Sequence, residues 1–234
     1  MQPRAAVDIL LGMLLLALFQ ACTTVTEGPH ALAFDGSPDC GIIAVSEAPP
    51  SSFTVEVWLR SDPEAFAGVM RPLALWKNVF NLSENADEQV VFIIGEEAVG
   101  ASSPFSLMDG QLHHVAGTYD GAVGSAKLFI DGDLVGASGD PAFVSDSPTE
   151  QVQFGCAKEN TEAFYGVLDE LRLSSIVRYT DAFEVPTAAY EGDDDTLMLF
   201  HLDEGTGATA TSTGDFTMTI SDAAWVEFDV GGEE

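Results

Sequence analysis

The 234 residues are enough for one well-buried domain, and 38 acidic against 8 basic residues give a formal charge of −30, a field that repels nucleic acid and the anionic surface of a bilayer. Hydrophobic residues make up 46% of the chain, with 15 Phe, which excludes a disordered acidic tail, because such tails lack the apolar surface to offset chain entropy. The composition is that of a folded acidic protein with its charge on a solvated surface, a calcium-loaded surface being the alternative.

The N-terminus, "MQPRAAVDILLGMLLLALFQAC", opens with one arginine and then runs from Ile9 to Phe19 without a charge. That run is too short to cross a bilayer as a helix and has the form of a signal-peptide apolar region. Ala21 followed by Cys22 resembles the lipobox of bacterial lipoproteins, although Phe19 and Gln20 depart from its usual residues and Asp8 weakens the basic region. The resemblance implies removal of residues 1–21, acylation of Cys22 and a lipidated tether over 22–30, with an ordinary cleaved signal as the alternative. Either route takes the chain out of the cytoplasm. The lipid route places it on the bacterial outer membrane, held by its anchor alone; the other makes it secreted or periplasmic. With Cys22 set aside, Cys40 and Cys156 are an even pair in an oxidising compartment and are read as a disulfide, against the alternative of two separate buried thiols.

The body is written in period two. "FTVEVWLR" alternates Phe53, Val55, Val57 and Leu59 with Thr54, Glu56, Trp58 and Arg60, a strand with one apolar and one polar-aromatic face. "QVVFIIG" is apolar throughout and reads as an inner strand; "HHVAGTY", "AKLFIDG", "VQFGC", "VLDELRLS" and "TLMLFHLD" follow, separated by Gly, Pro, Asp, Asn and Ser. Asp120-Gly121 and Asp131-Gly132 follow strand-like runs and read as hairpin corners. "NLSENADEQ" and "SIVRYTDAF" hold a turn of helix at most. His113 and His114 face opposite sides of a strand, so zinc is not expected. Asn81-Leu82-Ser83 has the form of a glycosylation acceptor but reads as chance, and residues 229–234 read as a frayed acidic tail. Many short strands with turns between them predict an all-β, antiparallel two-sheet sandwich or jelly roll.

Six phrases stand in an order that resembles laminin G-like domains of the concanavalin A-like, pentraxin-related bacterial kind. They are "LAFDG" from Leu32, "FTVEVWLR" from Phe53, "LHHVAGTYDG" from Leu112, "AKLFIDGDLV" from Ala126, "YGVLDELRLSSIVRYTDAF" from Tyr165 and "DDDTLMLFHLDEGTG" from Asp193. The resemblance implies a single jelly-roll domain over residues 31–228. The stretch from Asp87 to Asp109 departs from the glycine-rich phrasing that the resemblance leads one to expect. Some relatives of this fold hold a structural calcium near the positions matching Asp35 and Asp169, so calcium is a candidate cofactor with those two residues as ligands.

Glucanases that share the jelly roll carry paired carboxylates on one strand, and no such spacing occurs here. Asp169 and Glu170 are adjacent and so face opposite sides of a strand. There is neither GxSxG nor HExxH. No enzyme is expected. The candidate ligand-binding residues are Glu56, Trp58 and Arg60, which share the outward parity of one strand, where an indole would stack on a sugar ring and the flanking charges bond its hydroxyls; the alternative is that Trp58 packs under a covering loop. The expectation is an exported envelope lipoprotein carrying a non-catalytic recognition module for glycan or extracellular-matrix ligands. Its rivals are a protein-interaction or scaffold module and a divergent glycoside hydrolase.

Overall fold

The computed structural model describes residues 29–36, 38–64, 69–95, 99–139, 150–157, 162–228 and 230. The expected signal segment, Cys22 and the tether up to residue 28 lie outside the described residues, as do residue 229 and the tail at 231–234.

Eighteen strands and no helix form among the described residues. In chain order they are β1 (His30–Asp35), β2 (Cys40–Ala44), β3 (Phe53–Ser61), β4 (Arg71–Trp76), β5 (Phe80–Glu84), β6 (Gln89–Ile94), β7 (Val99–Ser106), β8 (His113–Asp120) and β9 (Ser125–Ile130). Then come β10 (Asp133–Gly139), β11 (Gln151–Phe154), β12 (Cys156–Ala157), β13 (Glu162–Ala163), β14 (Tyr165–Ser174), β15 (Thr196–Phe200), β16 (Thr209–Thr211), β17 (Thr217–Ser221) and β18 (Ala224–Glu227). Sheet I has the order β10-β9-β8-β3-β14-β1-β18, with β15 also paired to β14; sheet II has the order β16-β17-β2-β11-β4-β5-β6-β7; β12 and β13 make a short ribbon. The result is the antiparallel two-sheet jelly roll that the period-two text predicts.

The inward parity of each strand fills the space between the sheets. Val55, Val57 and Leu59 from β3 meet Ile43, Val152, Phe154, Leu82 and Phe92 from sheet II in one continuous core. Aromatic rings interlock there: Phe53 lies 5.5 Å from Phe80, 5.6 Å from Tyr119 and 6.3 Å from Phe92 between ring centroids. Gly117 leaves the space that Phe92 occupies, since an added Cβ would come 2.5 Å from that ring. At one rim the fully buried Arg71 of β4 donates to Glu84 of β5 at 2.9 Å, and Ser61 of β3 donates to the same carboxylate, so one ion pair ties sheet II to sheet I.

Both Asp-Gly pairs are hairpin corners, of two different kinds. Asp131 (φ 50°) and Gly132 (φ 81°) make the two-residue loop between Ile130 and Asp133, whose conformation needs positive φ at both residues. Asp120 instead pairs with Ser125 across a longer loop in which Gly124 carries the positive φ. The stretch expected to hold at most a turn of helix at "NLSENADEQ" contains most of β5. Phe80 and Leu82 alternate inward with Asn81 and Ser83, and only residues 85–88 turn, with Asn85 Oδ1 accepting the Asp87 and Gln89 amides at 2.9 and 3.0 Å. "SIVRYTDAF" forms no helix; it continues from β14 as an irregular covering segment.

Cys40 at the start of β2 and Cys156 in β12 form a disulfide with a Cα–Cα distance of 5.2 Å, across 116 residues of sequence. Replacing both cysteines by alanine is expected to lower the unfolding free energy by about 4 to 5 kcal/mol, from the chain entropy returned to a loop of this length. Urea titration of the two proteins checks this; coincident midpoints would refute it.

Candidate functional site

The outer face of sheet I is closed. Glu56 on β3 is fully buried, and Trp58 two residues on is 8% exposed, because residues 176–192 between β14 and β15 lie over them. Thr54 fixes the start of this cover, donating to Ile176 O at 2.8 Å and accepting the Arg178 amide at 2.9 Å. The Phe183 amide donates to Gly132 O at 2.9 Å, where a Cβ on Gly132 would come 2.1 Å from the same residue's carbonyl. Tyr179 and Phe183 stack at 3.6 Å, and both pack on Phe129. Tyr190 covers Trp58 and Leu199 and lies 4.2 Å under the Arg172 guanidinium.

The three residues expected to form an open sugar platform therefore do not form one. Glu56 accepts from Arg172 Nε at 2.8 Å and from the Tyr179 hydroxyl at 2.9 Å, and His114 Nε2 lies at 3.2 Å. Burial alone would raise its carboxyl, but the His114 and Arg172 contacts outweigh burial and hold it below the usual carboxylate range. Trp58 stands edge-on to His114 at 5.3 Å. Arg60, further along the strand, places its guanidinium 5.1 Å from the Phe228 ring. The outward parity was legible, and of the two readings of Trp58 the structure bears out the one in which a loop covers it.

The expected calcium pair is also separated. Asp35 pairs with Tyr165 across β1 and β14, and Asp169 stands four residues further along β14, about 13 Å away at strand rise. Asp169 is 4% exposed and stands opposite Trp58 in the register with β3. The two carboxylates do not fit one ion, and no cluster of three or more His, Cys, Asp or Glu suited to a metal occurs among the described residues.

His113 and His114 do face opposite sides. His114 is buried with Glu56, whereas His113 sits between two carboxylates, with Nδ1 2.7 Å from Asp131 and Nε2 3.2 Å from Asp109. The hydrogen bond to Asp131 raises the imidazole above its ordinary pKa against the opposing effect of burial. A raised folded pKa contributes stability that is fully present below the unfolded value, near pH 6.5, and is lost as pH rises through the folded value. His113→Gln should therefore lower the urea midpoint at pH 5.5, and the gap to the native chain should close by pH 9; a gap independent of pH would refute the ion-pair account.

The outward residues of sheet II are mixed: Thr217, Thr219 and Ser221 are exposed, Ile42, Leu75, Asn81 and Ile93 are half-buried, and Gln153 and Ser83 are buried. At one end of it the disulfide and Ile42 line a cleft of about 320 Å³, whose walls include Pro38, Asp39, Ala157, Glu162, Ser221 and Asp222. Its parts come from three places in the sequence. Cys40 pairs with Ser221 across β2 and β17, which sets Asp39 and Asp222 at neighbouring strand ends, and the Cys40–Cys156 bond brings the β12–β13 ribbon alongside. Asp39 is 4% exposed and accepts the Asp35 amide at 2.7 Å. Burial raises its carboxyl above the ordinary value, the Asp35 amide works against this, and the charges of Asp35 and Asp222 add to it. Sequence reasoning missed this cleft. The paired cysteines were the one signal that placed residues 39 and 157 side by side, and nothing local marks Asp222.

The Laminin_G_3 family model, described as the concanavalin A-like lectin/glucanases superfamily, matches residues 36–182. The chain belongs to this superfamily. The matched residues take in both walls of the sandwich up to the covering segment, while β1 and β15–β18 complete the sheets outside them. Among solved structures the fold is similar to a candidate carbohydrate-binding protein of Bacteroides ovatus, at 17% identity and a TM-score of 0.63, over 86% of this chain and 60% of that one. It is similar to the heptameric SAP-like pentraxin of Limulus polyphemus, at 14% identity and a TM-score of 0.55, over 83% and 96% of the two chains. It is also similar to the CBM40 domain of the Ruminococcus gnavus IT-sialidase bound to α2,3-sialyllactose, at 14% identity and a TM-score of 0.52, over 64% and 91%. This chain thus spans less than two thirds of the Bacteroides protein. At these identities the likeness is one of fold. No curated protein sequence matches the chain.

Proposed function

We propose that this member of the superfamily is a glycan-recognition module of the cell envelope, exported, held by lipid on Cys22, and without chemistry of its own. The observation that carries the reading is the cleft in sheet II. It joins an apolar floor at Ile42 and the disulfide to carboxylates at its walls, Asp39, Glu162 and Asp222. That combination suits a sugar, whose ring presents C–H faces to apolar surface and whose hydroxyls donate to carboxylate oxygens. The likeness in fold to the candidate carbohydrate-binding protein of Bacteroides ovatus and to the sialyllactose-bound CBM40 domain of Ruminococcus gnavus supports the same ligand class.

The non-catalytic part is supported by how the buried glutamates are used. Glu56 faces Arg172, Glu84 faces Arg71 and Glu170 faces His201, so each is engaged in an internal ion pair or hydrogen bond.

Calorimetric titration with a panel of neutral mono- and oligosaccharides is expected to give binding that weakens about tenfold or more in Ser221→Trp, which fills the cleft. A silent panel, with an envelope protein co-purifying instead, would favour the scaffold reading; release of reducing ends would overturn the non-catalytic one. Metabolic labelling with a palmitate analogue should tag the native chain and not Cys22→Ala, and equal labelling of both would refute the anchor.

A further inference from the structure

We infer that the covered face of sheet I holds a second, closed ligand site, in which the ring of Tyr190 stands where a small, neutral, hydroxylated ring of monosaccharide size binds. The site is separate from the cleft beside the disulfide and does not rest on the reading given to that cleft. Its basis is three polar atoms without a hydrogen-bond partner: Trp58 Nε1 from β3, His114 Nδ1 from β8 and Tyr190 Oη from the covering segment. Trp58 is 8% exposed, Tyr190 4% and His114 not at all. Their rings are in contact: His114 lies 5.3 Å from Trp58 and 6.1 Å from Tyr190 between centroids, and Trp58 and Tyr190 share one cluster with Leu199. Buried polar groups are nearly always paired, because an unpaired one has lost its hydration for nothing. Three of them on three touching rings, gathered from residues 58, 114 and 190, point to a ligand that pairs with them.

The cover has a firm half and a loose half. Residues 176–183 are tied down by Thr54, by Lys127 donating to Thr180 O at 2.6 Å, by Tyr179 on Glu56 and by the aromatic stack on Phe129. Residues 184–189, "EVPTAA", make no hydrogen bond among the described residues, and all but Val185 are exposed. This stretch runs between two fixed points, the Phe183 amide on Gly132 O and the Tyr190 amide on Glu170 at 2.8 Å. A segment with so few ties opens locally while the sheets stay folded. Moving it withdraws the Tyr190 ring, gives its hydroxyl to water and uncovers Trp58 and His114.

The chemistry of the uncovered atoms selects the ligand. The indole N–H only donates, and His114, donating to Glu56 from Nε2, presents Nδ1 as an acceptor. A hydroxyl both accepts and donates, so a polyol pairs with both; a carboxylate has no proton for Nδ1, and an ammonium cannot accept from the indole. Glu56, Asp169 and Glu170 stand close by and oppose an anion. The Arg172 guanidinium 4.2 Å over the Tyr190 ring and the indole against it suit the C–H faces of one sugar ring.

The test follows the indole N–H signals of the folded, nitrogen-15-labelled mature protein, with Trp58→Phe assigning the Trp58 signal. Glucose, galactose, mannose, xylose and myo-inositol are titrated beside glucuronate and glucosamine. At least one neutral compound should move the Trp58 signal saturably, and the two charged ones should not. Tyr190→Ala removes the competing ring and should tighten that binding about tenfold or more, since the ligand no longer has to open the segment. Pro186→Gly alters an exposed residue, leaves the buried rings in place and should raise the association rate, which keeps the test open if Tyr190→Ala fails to fold. The matching disaccharide tells a free sugar from a chain end. A Trp58 signal unmoved by every neutral compound in native and variant chains, an equal response to the charged ones, weaker binding in Tyr190→Ala, or an unchanged rate in Pro186→Gly would each overturn the inference. Binding lost in Ser221→Trp would place the sugar in the cleft, overturning this site while the glycan reading stands.

Discussion

Burying a carboxylate in the middle of a sheet face constrains everything around it, because an ionised group removed from water must meet charge and hydrogen bonds where it lies. Glu56 is that group. Arg172 comes from the adjacent strand, His114 from the strand on the other side, and Tyr179 from the segment that crosses above. The segment after β14 is drawn over sheet I to supply the last of these, and its aromatic residues then seal Trp58 and Phe129. The outer face of sheet I is thereby closed over Glu56 and Trp58.

The same segment is held at a bulge in β14. β14 pairs with β1 along its first half and with β15 along its second, and Glu170, at positive φ in the bulge between them, turns its carboxylate to the Tyr190 amide and to His201. The bulge ends one pairing, begins another and holds the far end of the cover. Glu170 of "LDELR" is thus part of the architecture.

Charge is sorted with equal consistency. The cations Arg71 and Arg172 are used internally, against buried glutamates, while acids stand at the strand ends around sheet II. A chain of net charge −30 repels its own copies through most of its surface.

The period-two runs, the turn residues between them and the cysteine pair were enough to specify two antiparallel layers and their cross-link, because side-chain alternation and turn chemistry are local properties written within a few residues. Outward parity of Glu56, Trp58 and Arg60 was legible for the same reason, and so was the opposition of His113 to His114. What lies above a strand is not local. Which segment covers Trp58, that Asp35 and Asp169 stand apart, and that Asp39 and Asp222 meet across β2 and β17 follow from an arrangement that joins residues more than a hundred positions apart. Only the tertiary structure decided that the segment after β14 closes sheet I, since that depends on where an irregular stretch of the chain comes to rest.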